Sequence, residues 1–280
     1  RIIDLDAMNA TMTVEAGCTL AQIQQAAEAA GRLFPLSLAS EGSCQIGGNL
    51  STNAGGTAVL RYGTTREMVL GLEAVLPSGE VLNALSALRK DNTGYALKDL
   101  LIGAEGTLGI ITAAVLKLHP MPATQATAMI ACAGPTEALQ IFDLLRARCS
   151  DTLTAFEYLE RFGLQMVLDH LPGTRDPLES PWPAYALIEL SSPAPDADLQ
   201  HRLEAALADA MEEGLVADAV IATSKAQSAA LWTLRESMSE MQKSAGASIK
   251  HDVAVPVSKV AQFILEGVAA CKTHMPDVRP

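Results

Sequence analysis

A chain of 280 residues, 49% hydrophobic and 19% charged, has enough apolar material for one large or two ordinary globular domains. Its net charge of -12, with no offsetting basic cluster, excludes a nucleic-acid or anionic-membrane surface as its main partner, because both are polyanions. No uncharged run approaches the roughly eighteen apolar residues of a membrane span, and the opening Arg1-Ile2-Ile3-Asp4 is neither a signal peptide nor an initiator Met, so both ends read as cut from a longer chain.

Arg1 to Leu5 and Thr11 to Val14 read as short strands joined by a turn. Thr19 then caps an amphipathic helix over Leu20, Ile23, Ala26, Ala27 and Ala30 that stops at Gly31. Leu33 to Leu38 leads into the stretch from Glu41 to Gly56, which holds five glycines, two Asn, two Ser and a Thr but no basic side chain. Such a run allows close backbone approach and points to an anionic guest. Ile46 to Thr52 has the makings of a short helix whose first-turn N–H groups face a diphosphate, with Asn49, Thr52 and Asn53 orienting ribose or ring oxygens. The spacing is neither G-x-G-x-x-G nor a P-loop, and a glycine-rich surface loop is the competing reading.

Further along, Met68 to Leu76 is an apolar strand turned by Pro77-Ser78-Gly79-Glu80 into Val81 to Asn83. Asp91 to Tyr95 is a polar turn before a short helix, Leu97 to Ile102. A second glycine block, Gly103-Ala104-Glu105-Gly106-Thr107-Leu108-Gly109, runs into a β-branched strand beginning Ile110-Ile111-Thr112. Pro120 and Pro122 stop that strand, which puts a domain boundary at 122 and divides the chain into 1–122 and 123–280. His119 reads as a structural or solvent-facing histidine.

The second half alternates strand Thr127 to Cys132, helix Thr136 to Arg148, strand Leu153 to Tyr158, helix Arg161 to Leu171, strand Ala184 to Leu190, helix Asp196 to Glu213 and strand Ala217 to Ala222. Paired βαβ units of this kind predict an antiparallel sheet faced by helices, in the ferredoxin-like manner, and hence an α+β chain overall. A helix over Ala229 to Ser239 sets Arg235 and Ser239 one turn apart, with Leu231 on the same side. Fifteen residues beyond Arg235, Ser248 to Pro256 alternates like a strand, with Ile249, His251, Val253 and Val255 on one face and Lys250, Asp252 and Ala254 on the other. An arginine fork and a lysine point charge on adjacent elements would receive a carboxylate. Spacing alone equally allows Arg235 to pair with Glu236 or Glu240, and Lys250 with Asp252, on a wet surface. On the apolar face His251 reads as a packed residue or one that supports a neighbouring contact, ahead of a catalytic base.

Cys18, Cys44, Cys132, Cys149 and Cys271 are widely spaced, odd in number and share no C-x-x-C, which fits neither a disulfide framework nor a zinc knuckle. A reducing, cytoplasmic setting follows. Cys44 reads as a small buried residue. His119, His170, His201, His251 and His274 are scattered, so no metal site is expected within these residues.

The two glycine blocks, V-L-P-x-G-E at residues 75–80, G-x-E-G-T-L-G-I at residues 103–110 and L-W-x-L-R-E-x-x-S at residues 231–239 together resemble the vanillyl-alcohol oxidase superfamily, with its p-cresol methylhydroxylase fold. Within it the chain looks closest to the D-2-hydroxyacid dehydrogenases of D-lactate, glycolate and D-2-hydroxyglutarate type. The resemblance implies the second part of an FAD-binding domain followed by a substrate-binding cap, and oxidation of a D-2-hydroxyacid by hydride transfer to flavin N5.

Its cofactor positions fall on Pro35, Ser40, Glu41, Gly42, Ile46, Gly47, Gly48, Asn49, Thr52, Asn53, Gly55, Gly56, Glu105, Gly109, Ile110 and Ile111. Here Glu105 would be an acceptor beside a buried FAD, which is non-covalent as far as these residues show. The substrate carboxylate positions fall on Arg235, Ser239 and Lys250, and Ala254 departs from the serine common in those enzymes. The family's base and divalent-metal histidines would lie beyond Pro280, and its first diphosphate loop before Arg1. The implied partners are a small 2-hydroxycarboxylate and an electron acceptor of unspecified kind, and a homodimer is compatible with the reading. The implied setting is cytoplasmic, peripheral to the inner membrane, or mitochondrial in a eukaryote. Same-fold alternatives are an oxidase or synthase for another alcohol or a lipid precursor. A non-catalytic flavin-binding subunit of a glycolate-oxidising complex is the alternative from another class.

Overall fold

The computed structural model of the chain describes residues 1–280 and divides into two compact units, Arg1–Ala123 with Pro193–Pro195, and Thr124–Ser192 with Asp196–Pro280. The first unit opens with β1 (Ile2–Asp6) and β2 (Thr11–Glu15), then α1 (Leu20–Ala29). Thr19 accepts from the Gln22 N–H while the Gln22 side chain accepts from the Thr19 N–H, a reciprocal cap that fixes where α1 begins. The two-residue β3 (Arg32–Leu33) precedes α2 (Ile46–Ser51) and the single-turn α3 (Val59–Tyr62). After these come the hairpin β4 (Val69–Val75) and β5 (Val81–Ala84), the short α4 (Lys98–Leu101), β6 (Ile110–Lys117) and β7 (His119–Pro120). The main sheet has the order β1-β2-β6-β4-β5, antiparallel at every step.

The core of this unit is built from Met12 and Val14 of β2, Leu20, Ile23 and Ala27 of α1, Ile46 and Leu50 of α2, and Leu116 of β6, all fully buried. The i, i+3, i+7 spacing of the three α1 residues is what an amphipathic helix needs to bury one stripe. His119 meets the Tyr62 ring edge-on at 4.7 Å, and burial lowers its pKa, which favours the neutral imidazole.

The second unit contains β8 (Thr124–Cys132), α5 (Pro135–Cys149), β9 (Leu153–Glu160), α6 (Arg161–His170), β10 (Ala184–Ser192), α7 (Leu199–Glu212) and β11 (Asp218–Ile221). α8 (Lys225–Glu236), α9 (Met238–Met241) and α10 (Val260–His274) follow. The sheet runs β11-β8-β10-β9, all antiparallel, which is the ferredoxin-like order with one additional helix, α6, between the second and third strands.

Strand alternation explains why both faces of this sheet are covered. Ala128, Ile130 and Cys132 face the core under α5 and α7, while Met129 and Ala131 join Leu164, Val167, Tyr185, Leu187, Leu231 and Leu234 on the other side. α6 and α8 supply that second layer, and Arg161 at the start of α6 donates to the hydroxyl of the buried Tyr185 at 2.7 Å.

One predicted element is absent. Residues 248–256 pair with no strand, and Ile249 and Val253 are 79% and 60% exposed. Alternation supplies a face, but a strand also needs a sheet edge to bond to, and this segment has none. His251 is exposed, not packed. The helix read through Ser239 is also interrupted after Glu236, where Ser237 separates α8 from α9.

Candidate functional site

The two glycine blocks, about fifty residues apart in sequence, meet at the C-terminal end of α2. The N–H of Gly103 donates to the Leu50 carbonyl and that of Glu105 to the Ser51 carbonyl, each at 3.0 Å. These carbonyls belong to the last turn of a helix; that of Leu50 also accepts from the Asn53 N–H at 3.1 Å, and that of Ser51 finds its partner in Glu105. Both donors sit in left-handed backbone, at φ +84° and +51°, which turns successive N–H groups toward one place. Arg66 closes the same corner: its N–H donates to Asn53 Oδ1 at 2.9 Å and its Nη2 to the Ile102 carbonyl at 2.6 Å. Its Nε is buried with no hydrogen-bond partner.

The N-terminal turn of α2 does not act as predicted. Ile46 N–H donates to the Cys18 carbonyl and Gly47 N–H to the Ala16 carbonyl, each at 2.9 Å, and Gly48 and Asn49 N–H both bond to the Gln45 carbonyl. Every donor assigned to a diphosphate is already engaged, so the helix-terminus reading is corrected: this turn anchors α2 to the scaffold. The polar side chains are engaged too. Thr52 donates to the Gly48 carbonyl at 3.1 Å, Asn49 is buried with Nδ2 3.5 Å from Cys44 Sγ, and Asn53 accepts from Arg66. Cys44 is half-buried, less enclosed than expected.

The other predicted positions divide by what surrounds them. Pro35 is buried, and Glu41 accepts from Gln24 Nε2 at 3.1 Å, so both belong to the frame. Gly47 and Gly56 are required by packing, since a Cβ there would lie 2.7 Å from Ala16 Cβ and from the Ser37 carbonyl oxygen respectively. Gly109 is similar, with Val75 O at 2.9 Å. Gly42 and Gly48 instead have nothing within 4 Å of a notional Cβ, and Gly55 meets only Val59 at 3.6 Å. The N–H groups of Gly42, Gly55 and Gly56 donate to nothing within the chain.

Ser40 and Ile110 are exposed, while Ile111 is buried. Glu105 is exposed as well, so its carboxylate faces outward and only its backbone is fixed. Open glycine faces, unpaired N–H groups at Gly42, Gly55 and Gly56 and the orphaned Arg66 Nε fit a flavin nucleotide with an anionic diphosphate. Sequence reasoning passed over Arg66. Its signal was an arginine only ten residues past a glycine block that lacked any cation.

In the second unit, α8 is fastened to the sheet by three polar contacts. Ser228 Oγ is 2.7 Å from Thr127 Oγ1 on β8, Trp232 Nε1 donates to Glu189 Oε2 on β10 at 2.8 Å, and Arg235 Nε donates to Glu157 Oε2 on β9 at 2.7 Å. Arg235 Nη2 reaches the same oxygen at 2.6 Å. Burial raises the pKa of Glu189, against the opposing effect of its bond from Trp232. The surface pairing of Arg235 with Glu236 or Glu240 that spacing allowed is therefore corrected: its partner is Glu157 on β9. Lys250 Nζ donates to the Ser239 carbonyl at 3.4 Å, and both residues are exposed. Lys250 and Ser239 thus come together, although not through the predicted strand. The chain contains no group of three or more His, Cys, Asp or Glu placed to hold a metal ion, and no helix long and apolar enough to cross a membrane.

Comparison with known proteins agrees with these two units. Residues 1–85 match the family described as FAD binding domain, and residues 121–278 the family described as FAD linked oxidases, C-terminal domain. The mitochondrial D-2-hydroxyglutarate dehydrogenase of Arabidopsis thaliana is 39% identical over 264 residues, covering 94% of this chain and 47% of that protein. The bovine (Bos taurus) protein of the same name is 40% identical over 264 residues, covering 94% and 48%. The D-2-hydroxyglutarate dehydrogenase of Xanthomonas citri is 39% identical over 275 residues, covering 98% and 57%. The chain thus spans about half the length of the curated relatives it matches. Among solved structures, an alkyldihydroxyacetonephosphate synthase superposes with a TM-score of 0.71 at 20% identity, over 99% of this chain and 55% of that one, a likeness of fold. With a profile match across most of the second half joined to an FAD-binding segment in the first, the chain belongs to the FAD-linked oxidases.

Proposed function

We propose that the protein containing this chain is an FAD-dependent D-2-hydroxyacid dehydrogenase whose substrate is D-2-hydroxyglutarate. The observation that carries the reading is 39–40% identity to proteins named for that activity over nearly the whole chain, and the match extends through the Arg235 to Lys250 region. When bound, FAD would supply the two-electron acceptor for oxidation at the substrate C2. The glycine blocks, with Gly42, Gly48 and Gly55 open and Arg66 at their junction, are the residues of this chain that would hold it.

Arg235 and Lys250 fix a substrate carboxylate. Of the five guanidinium N–H groups, two are committed to Glu157 Oε2, which leaves the pair on Nη1 and one on Nη2 for a second anion. Lys250, in the exposed segment that follows α9, adds a point charge, and the Ser239 hydroxyl one further donor. Binding of the carboxylate holds C2 in one orientation, which is where the protein contributes to a reaction whose electrons go to the cofactor. FAD bound without a covalent link is part of the same proposal.

The test is stopped-flow reduction of the flavin by D-2-hydroxyglutarate in the full-length enzyme. Arg235→Met and Lys250→Met should each lower kcat/KM by about 30-fold or more while leaving the flavin spectrum intact, since a hydrogen-bonded charge contact removed from one side costs about 2 to 5 kcal/mol. Wild-type reduction by both variants would refute the carboxylate assignment.

A further inference from the structure

We propose that Glu157 is a positioning residue for the substrate carboxylate, acting through Arg235; the inference rests on the reading of Arg235 given above. α8 crosses the sheet in a particular way. Its three polar contacts use residues 228, 232 and 235, spaced four and then three apart, so they share one helix face. Their partners lie on β8, β10 and β9, three consecutive strands of the sheet. Helical rise of about 1.5 Å per residue advances the helix about 6 Å and then about 4.5 Å, against a strand spacing of about 4.8 Å. Each turn of α8 therefore meets the next strand. Thr127 and Glu189 stand directly opposite each other across the β8–β10 ladder, and Glu157 stands opposite Leu187, two residues along β10 from Glu189.

Arg235 is the last of these three contacts, one residue before α8 ends, where a long side chain would otherwise sample many rotamers. Glu157 removes that freedom. It engages Nε and Nη2, the edge of the guanidinium nearest the backbone, and does so with a single oxygen. The outer edge, with Nη1, is left oriented and free. The side chains of Arg235 and Glu157 are 34% and 20% exposed, wet enough for a small anion to reach the outer edge but shielded enough for the inner contact to persist. Because one oxygen of Glu157 makes both bonds, the role depends on the reach of that oxygen more than on the negative charge.

Two conservative substitutions separate reach from charge. Glu157→Gln keeps an acceptor oxygen at the same distance from the backbone and loses the charge; Glu157→Asp keeps the charge and draws the oxygen back by one methylene. In the full-length flavoenzyme, the D-2-hydroxyglutarate concentration for half-maximal flavin reduction should rise about 10-fold or more for Glu157→Asp, the loss of a charge-assisted hydrogen bond, and only about threefold for Glu157→Gln. The limiting reduction rate should change far less in either, since an interaction made equally with ground and transition states affects binding alone. In an Arg235→Met background the two Glu157 variants should no longer differ, because the intermediary is gone.

A larger effect for Gln than for Asp, or equal effects, would overturn the positioning role. So would a lowered melting temperature with unchanged half-saturation, which is what a purely structural contact would give. If Arg235→Met itself left half-saturation untouched, the carboxylate reading would fail and the role of Glu157 with it; if Arg235→Met raised it while both Glu157 variants matched wild type, only the inference about Glu157 would fail.

Discussion

Glu189 shows what enclosure does to a carboxyl group. The carboxyl lies on β10 beneath α8, accepts from Trp232 Nε1 at 2.8 Å, and has its pKa raised by burial. A raised folded-state pKa means that the folded protein holds this proton more tightly than the unfolded chain. The resulting stabilisation is fully present below the unfolded carboxylate value near about 4.3 and is lost as pH rises through the folded value. Glu189→Gln keeps an acceptor for Trp232 and has no charge to bury. The variant should melt at a higher temperature than wild type at pH 7, and the gap should close as pH falls toward the ordinary glutamate range. Thermal melts at pH 7 and pH 4.5 decide it, and a pH-independent gap would mean that folding leaves the Glu189 pKa unshifted. Sequence alone gave no warning of this residue: Glu189 sits in an apolar run, and its partner is forty-three positions away.

At the scale of the element, α2 carries two adjacent glycines with opposite duties. A Cβ on Gly47 would lie 2.7 Å from Ala16 Cβ, whereas one on Gly48 would meet nothing within 4 Å. Gly47→Val should therefore destabilise the first unit, because overpacking of a tight contact costs about 1 to 3 kcal/mol. Gly48→Val should leave the fold intact and expel the flavin, read as loss of the visible spectrum with unchanged far-UV circular dichroism. Stoichiometric flavin in the Gly48→Val protein would mean that the open face is not the cofactor's. The helix itself was legible, since a run of small residues after Cys44-Gln45 leaves few alternatives. Its spent donors were not, because they are taken by Ala16 and Cys18, some thirty residues earlier.

The same asymmetry separates α8 from the segment that follows it. Local periodicity reveals Leu231 and Leu234 as a buried stripe, and the Arg235 side chain is visible as a charge. Its partner on β9, seventy-eight residues back, depends on a strand order that no local pattern encodes. Ser248 to Pro256 has the alternation of a strand without a neighbour to pair with, which is why periodicity misleads there.

For the whole molecule, the two cores are separate sets of residues, and both tryptophans, Trp182 and Trp232, belong to the second. Intrinsic tryptophan emission therefore reports the second unit, while far-UV circular dichroism sums both. Met12→Ala, which empties a fully buried position in the first unit, should cost that unit about 2 to 5 kcal/mol. In urea titrations it should move the early part of the dichroism curve and leave the tryptophan midpoint where it was. An equal shift in both signals would mean that the units unfold as one cooperative block.

The strand order of the first unit also fixes a sequence of events during synthesis. β6 lies at the centre of its sheet, between β2 and β4, yet it is the last of the five strands to leave the ribosome. Until it emerges, β1–β2 and β4–β5 are two hairpins with no shared ladder, each marginal alone. Gly103 and Glu105, which complete the end of α2, come only a few residues ahead of β6. Assembly of the glycine corner and closure of the sheet thus both come late, and a nascent chain halted before residue 103 holds neither.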